Sequence, residues 1–303
     1  MSKDIVAVIV TYNRKELLSK VIDAVSNQSY PLKKILIIDN NSSDGTKNSV
    51  EDKLSSIVEY VNTGGNLGGA GGFHFGFKEA EKHGYDYLWL MDDDLMPAHD
   101  CLEKLLSTDP QGIAQPVRYN LDETCAELSP LRYDLSNPLK INPKGTPLKV
   151  YLEQNKNTDR LIKIEAIPFE GPLISRKAVM EIGLPNPAFF IFCDDIEYAI
   201  KAQRKGIPIV CDLEAKAYRL LVNNQQNDML SWKGYFMLRN LFYLHKNYGT
   251  NVFVRNKPIV LAIGYGCSCL IKGQFKQLKV LWRAYWDAGS LDNTERFKPG
   301  AKK

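Results

Sequence analysis

The chain of 303 residues is 44% hydrophobic and 24% charged, enough to bury a sizeable core and too apolar for a disordered polypeptide. A formal net charge of +4 over this length argues against a nucleic-acid partner. Six cysteines, at 101, 125, 193, 211, 267 and 269, form no CxxC pair or Cys/His cluster, which argues against structural zinc and for free thiols in a reducing, cytoplasmic compartment.

Ile5 to Val10 (IVAVIV) is a β-branched run of the kind buried on both faces of a parallel sheet. The N-terminal MSKDIVAVIVTYN enters this strand at once, with no room for a signal peptide. After the polar turn Thr11 to Arg14, apolar positions Leu17, Leu18, Val21, Ile22 and Val25 predict a helix over 15–28. Lys34 to Ile38 predicts a second buried strand ending at Asp39, completing a right-handed β-α-β unit with a crevice at its carboxyl end. NNSSDGT (40–46) reads as a turn and helix cap, followed by a helix over 47–54 and a strand over 58–62. TGGNLGGAGG (63–72) holds six glycines and reads as a loop that lets backbone approach a ligand closely. A helix over 73–83 and a strand over 85–91 follow, and the strand runs into Asp92, Asp93 and Asp94.

The stretch 115–162 is irregular and rich in Pro and Asn, order returning over 163–174, with a helix over 176–182. The aromatic segment 189–193 leads into Asp194, Asp195 and Glu197, then a helix over 198–205 and a strand over 208–211. Beyond about residue 227 the pattern is helical, over 232–248, 258–271 and 275–285. This divides the chain into a domain over 1–227 and a helical region over 228–303. No apolar run reaches the roughly 20 residues needed to span a bilayer.

Three adjacent carboxylates at the end of an apolar strand demand a counter-charge, which Mg²⁺ or Mn²⁺ supplies while binding phosphate oxygens. Asp39 at the end of the second strand can accept bonds from a base or ribose. Three acids at the 194–197 helix start exceed what capping requires, and one of them can serve as a general base. The four histidines share no spacing with one another or with a serine nucleophile, and no G-x-S-x-G motif is present. His74, just after the glycines, is the one placed to line a site.

In this order, IVAVIVTYNRKELL, ILIIDNNSSDGT, NTGGNLGGAGGFHFGF, YLWLMDDDLMP, FEGPLISRKAVMEIGLP, FFIFCDDIEYAIKAQRKGIPI and GYFMLRNLFYL resemble the family 2 glycosyltransferases of the GT-A fold. The likeness is greatest to the branch with galactofuranosyl- and rhamnosyltransferases of bacterial surface polysaccharides. It implies an α/β fold with a mostly parallel, Rossmann-like sheet, flanking helices and a C-terminal helical region. It implies an inverting hexosyltransferase that uses Mn²⁺ or Mg²⁺ and a UDP- or dTDP-sugar to extend a lipid-linked oligosaccharide.

By the same resemblance Thr11, Asn13, Arg14, Asp39, Asn66, Gly69, Gly71, Asp92 and Asp93 hold the donor, and Asp92 and Asp94 the metal. Asp195 is the base, with Asp194 and Glu197 orienting the acceptor. Much of the family carries a histidine where this chain has Ala217-Tyr218-Arg219, so Arg219 is expected to neutralise the diphosphate itself. That departure keeps open a catalytically weak sugar-nucleotide-binding subunit. A nucleotidyltransferase is a further alternative, disfavoured by the lack of glycines in TYNRKELL. From Pro258 to Trp286 an apolar stripe interleaves with Lys272, Lys276, Lys279 and Arg283, fitting peripheral contact with the inner face of the cell membrane, or homo-oligomerisation.

Overall fold

The computed structural model describes residues 2–155, 157–221, 229–292 and 294–299. Its first half is β1 (Ile5–Thr11), α1 (Lys15–Ser26), β2 (Lys34–Asp39), α2 (Thr46–Ser49), β3 (Val58–Asn62), α3 (Gly68–Glu81), β4 (Tyr87–Asp92), β5 (Leu95–Pro97), α4 (Cys101–Ser107) and β6 (Ile113–Asn120). Then come α5 (Leu148–Gln154), β7 (Leu161–Lys163), β8 (Leu173–Ser175), α6 (Arg176–Ile182), α7 (Asp194–Arg204), β9 (Ile209–Arg219), α8 (Lys233–Tyr248), α9 (Val252–Ile271), α10 (Phe275–Asp287) and α11 (Thr294–Phe297).

One nine-stranded sheet runs β3-β2-β1-β4-β8-β6-β9-β5, with β7 on β9. The pairs of β1 with β2 and β4, and of β2 with β3, are parallel, while β8, β5 and β7 pair antiparallel. The β1 run is wholly buried because each face meets a different core. Ile5, Ala7 and Ile9 pack toward α1 and α4; Val6, Val8 and Val10 pack toward Phe73 and Phe77 of α3 and Tyr198 of α7. The cost of placing helices on both faces is met by burying two apolar layers rather than one.

Several elements depart from the sequence reading, three of them away from the glycine run. The expected helix over 47–54 is one turn, Thr46–Ser49, followed by a 3₁₀ turn. The expected strand over 208–211 continues to Arg219: its polar half alternates and pairs with β6 on one side and β5 on the other. The helix expected from 258 begins at Val252, capped by the Asn251 side chain, and carries Pro258 in its second turn.

The boundary at 227/228 lies outside the described residues. The helices beyond it pack together around Phe236, Phe242, Ala262, Leu281 and Ala284, and Phe190 from the first region joins them. All six cysteines are free. Among the described residues no helix is long and apolar enough to cross a membrane.

Candidate active site

The carboxyl ends of β1, β2 and β4 lie side by side, which brings Thr11, Asp39 and Asp92 to one rim. Asp39 is fully buried. Its Oδ1 accepts from the Ser42 amide and hydroxyl, at 2.9 and 2.6 Å, and its Oδ2 from Tyr60 at 2.5 Å. Burial, and then the bond to Asp39, push the Tyr60 hydroxyl up to about 12. Asn13, in the left-handed region at φ 54°, accepts from the Ser43 amide at 2.7 Å and so ties the β1 turn to the β2 turn.

The aspartate triplet divides by position. Asp93 is buried against the protein: Thr11 donates to it at 2.8 Å, the Tyr12 amide at 3.3 Å and Arg14 at 2.9 Å. Arg14 also bonds Asp94 at 2.9 Å. Asp92 and Asp94 line a cavity of about 350 Å³. Burial first, then Asp94, Glu170 and Asp93, hold the Asp92 carboxyl well above the ordinary range; burial raises Asp94 too, against the pull of Arg14. These are carboxylates short of positive charge, which could hold a divalent cation.

The glycine run is helix rather than loop, α3 starting at Gly68. Close packing accounts for several of the glycines, despite their low helix propensity. A Cβ at Gly72 would sit 2.5 Å from Val10 Cγ1, and one at Gly76 2.4 Å from Val8 Cγ1, so these two glycines let α3 lie directly on β1. At Gly68 (φ +70°) a Cβ would meet the Phe190 carbonyl, and at Gly71 the Leu67 side chain. Only Gly69 of the helical run both lines the cavity and faces open space. Asn66 accepts from the Gly68 amide at 2.9 Å and so shapes the helix start.

The opposite wall is the start of α7. The residues before it are bent against their propensities: Phe190, Phe192 and Cys193 all have positive φ, at 64°, 66° and 67°. Such backbone in bulky residues costs about 1–3 kcal/mol each and persists only when surroundings enforce it. The enforcement comes from two fully buried side chains of α8. Asn240 donates to the carbonyls of Phe189, Ile191 and Phe192, at 3.1, 2.7 and 2.9 Å; Arg239 donates to those of Ala188 and Phe189, at 2.8 and 3.1 Å. The Ala70 amide of α3 takes the Phe190 carbonyl at 3.1 Å.

This bent turn presents Asp194 and Asp195 to the cavity. Burial raises both carboxyls, Asp194 well above the ordinary range and Asp195 to about 6, where Lys144 and Arg118 oppose the rise and Glu170 adds to it. Glu197 lies outside the cavity lining and joins helices instead, accepting from Tyr248 of α8 and pairing with Lys201 at 3.1 Å.

An ion ladder that no spacing in the sequence announces crosses the floor. Arg118 of β6 bonds Glu127 through Nε and Nη2 at 2.9 and 2.8 Å, and Glu170 through Nη1 at 2.5 Å. Glu170 stands 3.5 Å from Nε of Arg219. Among the described residues, the carboxyls of Asp92, Asp93, Asp94, Glu127 and Glu170 sit with three guanidiniums, Arg14, Arg118 and Arg219, so acids outnumber arginines on this wall.

Of the residues expected from the sequence, the cavity gathers Arg14, Gly69, Asp92, Asp94, Asp194, Asp195 and Arg219. Thr11, Asn13, Asp39, Asn66, Gly71, Asp93 and Glu197 stand behind that lining. His74 also lies off it, its Nδ1 sharing a proton with the Pro185 carbonyl at 2.8 Å. Arg118, Lys144, Phe192 and Glu170 are lining residues the sequence did not single out. Among the described residues no three His, Cys, Asp or Glu side chains form a metal cage.

Residues 6–140 match the family model described as Glycosyl transferase family 2. The galactofuranosyltransferase GlfT1 of Mycolicibacterium smegmatis is 30% identical over 206 residues, covering 67% of this chain and 66% of that protein. The putative teichuronic acid biosynthesis glycosyltransferase TuaG of Bacillus subtilis is 25% identical over 262 residues, 84% of this chain and 94% of that one. The mannosyltransferase PcManGT from Pyrobaculum calidifontis, in complex with GDP-Man and Mn²⁺, superposes with a TM-score of 0.57 at 14% identity, covering 97% of this chain and 89% of that one.

Proposed function

The chain belongs to family 2 of the glycosyltransferases, with a GT-A fold, and from that premise we propose that it is an inverting hexosyltransferase of cell-surface polysaccharide synthesis. Its donor is a UDP- or dTDP-sugar, galactofuranose first and rhamnose second, and its acceptor a lipid-linked glycan. One observation carries the reading: Asp92 and Asp94 on one wall and Asp195 on the other share a single cavity of about 350 Å³.

The residues divide the work. Asp39, Asn13, Thr11 and Asp93 set the rim formed by β1 and β2, where the nucleoside sits. Arg14 and Arg219 offer guanidiniums to the diphosphate. Asp92 and Asp94 would hold Mn²⁺ or Mg²⁺, which would supply Lewis-acid stabilisation of the departing nucleoside diphosphate. The excess of acids over guanidiniums on the wall that carries Asp92 and Asp94 fits such an ion. Asp195, with a carboxyl at about 6, is ionised at neutral pH yet basic enough to take the acceptor's hydroxyl proton. Asp194, whose carboxyl is raised by burial and by Asp195, orients the acceptor.

The same reading extends to α9 and α10, where Val260, Ile263, Ile271, Phe275, Trp282 and Trp286 are exposed. Lys272, Lys276, Lys279 and Arg283 are exposed among them. Apolar anchors interleaved with cations suit an anionic lipid surface, the kind of surface that carries lipid-linked acceptors. Self-association through this face is the second use it supports.

The test is a donor screen with UDP-galactofuranose, dTDP-rhamnose and UDP-hexoses, each with Mn²⁺, Mg²⁺ or EDTA, reading released nucleoside diphosphate. Turnover of a galactofuranose donor that EDTA abolishes is the expected outcome. Tight nucleotide binding without turnover of any donor would leave the non-catalytic binding subunit as the better account.

A further inference from the structure

Glu170 sits where a carboxylate needs a reason. Its backbone is fastened to the sheet: the Glu170 carbonyl accepts from Gln115 Nε2 at 2.7 Å, and the Gly171 amide donates to Leu90 at 2.8 Å. Gly171 (φ +94°) accepts from Trp89 Nε1 at 3.0 Å, and a Cβ there would lie 2.8 Å from Pro116. Glu170 is thereby held against β4 beside the aspartates, adding negative charge to a site already in excess. Its Oε2 accepts from Arg118, which is anchored on the fully buried Glu127, and the same oxygen lies 3.5 Å from Arg219 Nε.

Arg219 is fixed just as closely on the other side. It ends β9 opposite Leu95, and the next amide, Leu220, donates to the Asp94 carbonyl at 2.8 Å. Asp94, whose carboxyl already feels the Arg219 charge, is the metal-side carboxylate that an unrestrained guanidinium there would reach, with Asp92 beside it in the cavity. Pairing with them would occupy the oxygens a cation requires.

We infer that Glu170 is a positioning residue: it holds the Arg219 guanidinium off Asp92 and Asp94, so that a cation site and a diphosphate-binding arginine coexist in one cavity. This rests on the donor-and-cation reading above. Arg118 and Glu127 act through it, fixing the side chain of Glu170 from behind.

The experiment uses the full chain, Mn²⁺ binding by electron paramagnetic resonance, UDP binding by calorimetry with and without Mn²⁺, and thermal melting. E170Q keeps an acceptor for Arg118 but removes the charge facing Arg219. Its Mn²⁺ affinity should fall about 10–100-fold, the range for residues that orient a metal site from behind. Combining E170Q with R219M should restore Mn²⁺ binding, because the released guanidinium is gone; a role in folding alone would not produce that recovery. R219M by itself should keep Mn²⁺ binding and lose UDP affinity, which tests the idea even if E170Q folds poorly. Wild-type Mn²⁺ affinity in E170Q, no recovery in the double variant, or loss of Mn²⁺ binding in R219M overturns the inference. Failure of the wild-type chain to bind UDP or Mn²⁺ overturns the donor-and-cation reading itself.

Discussion

Replacing Asp195 with Asn separates chemistry from binding at one atom. The substitution keeps shape and keeps an oxygen for the Ile196 amide, which bonds Asp195 Oδ1 at 2.7 Å, so the bent turn should hold. What it removes is basicity. A positioned general base contributes about 10²- to 10⁴-fold, or about 3–5 kcal/mol of barrier.

The wild-type pH profile supplies an independent reading. With the Asp195 carboxyl near 6, kcat/KM should be flat above neutrality and drop about tenfold per unit below about pH 6, as the base becomes protonated. The stability sign is opposite: folding raises this pKa, so its ionisation opposes folding increasingly as pH climbs from the ordinary aspartate value of about 3.9 through about 6. Single-turnover transfer, with UDP affinity by calorimetry, checks the prediction. Transfer by D195N within a few-fold of wild type, or an acid limb unrelated to pH 6, would refute the assignment of the base.

Two further outcomes follow from packing. Gly72→Ala should lower the melting temperature, its methyl meeting Val10 Cγ1 at 2.5 Å and Asn40 Nδ2 at 2.9 Å, an overpacking worth about 1–3 kcal/mol; Gly69→Ala, with nothing within 4 Å, should melt almost as wild type. Ile271→Ser, Trp282→Ser and Trp286→Ser together should release the protein from anionic vesicles in sedimentation, each large apolar anchor being worth about 1.5–3 kcal/mol, and unchanged sedimentation would remove the lipid surface from the account. Truncation at about residue 255 is the poorer experiment, since it strips α9 and α10 from the core formed with Phe236 and Phe242.

Much of the scaffold was legible because burial on both faces leaves a plain mark. IVAVIV and KILII were read as strands, and the helix over 176–182 was read at the bounds it has. The acid pairs were legible too, since carboxylates at strand and helix ends stand out against apolar runs. The glycine run was misread as a loop because propensity argues against a glycine helix, whereas contact with β1 and Phe190 decides it. Arg219 was noticed only as a missing histidine. Its strand was cut short because residues 212–219 alternate with polar side chains instead of continuing the apolar run. Glu170, Arg118 and Glu127 leave no local signature: their partners lie 52 and 9 residues apart in sequence and meet only through the sheet. No propensity would place Phe190 and Phe192 in left-handed backbone.

That turn has a consequence for anyone recombining this scaffold. Arg239 and Asn240 spend almost all of their donors on carbonyls between Ala188 and Phe192, or on the segment 291–294 that follows α10. The helices after residue 228 are therefore a splint for the turn that aims Asp194 and Asp195, rather than a tail that can be exchanged. A chimera that swaps them must carry the turn over 188–193 along as one cassette; otherwise Phe190, Phe192 and Cys193 lose the side-chain donors of α8 that keep their segment bent.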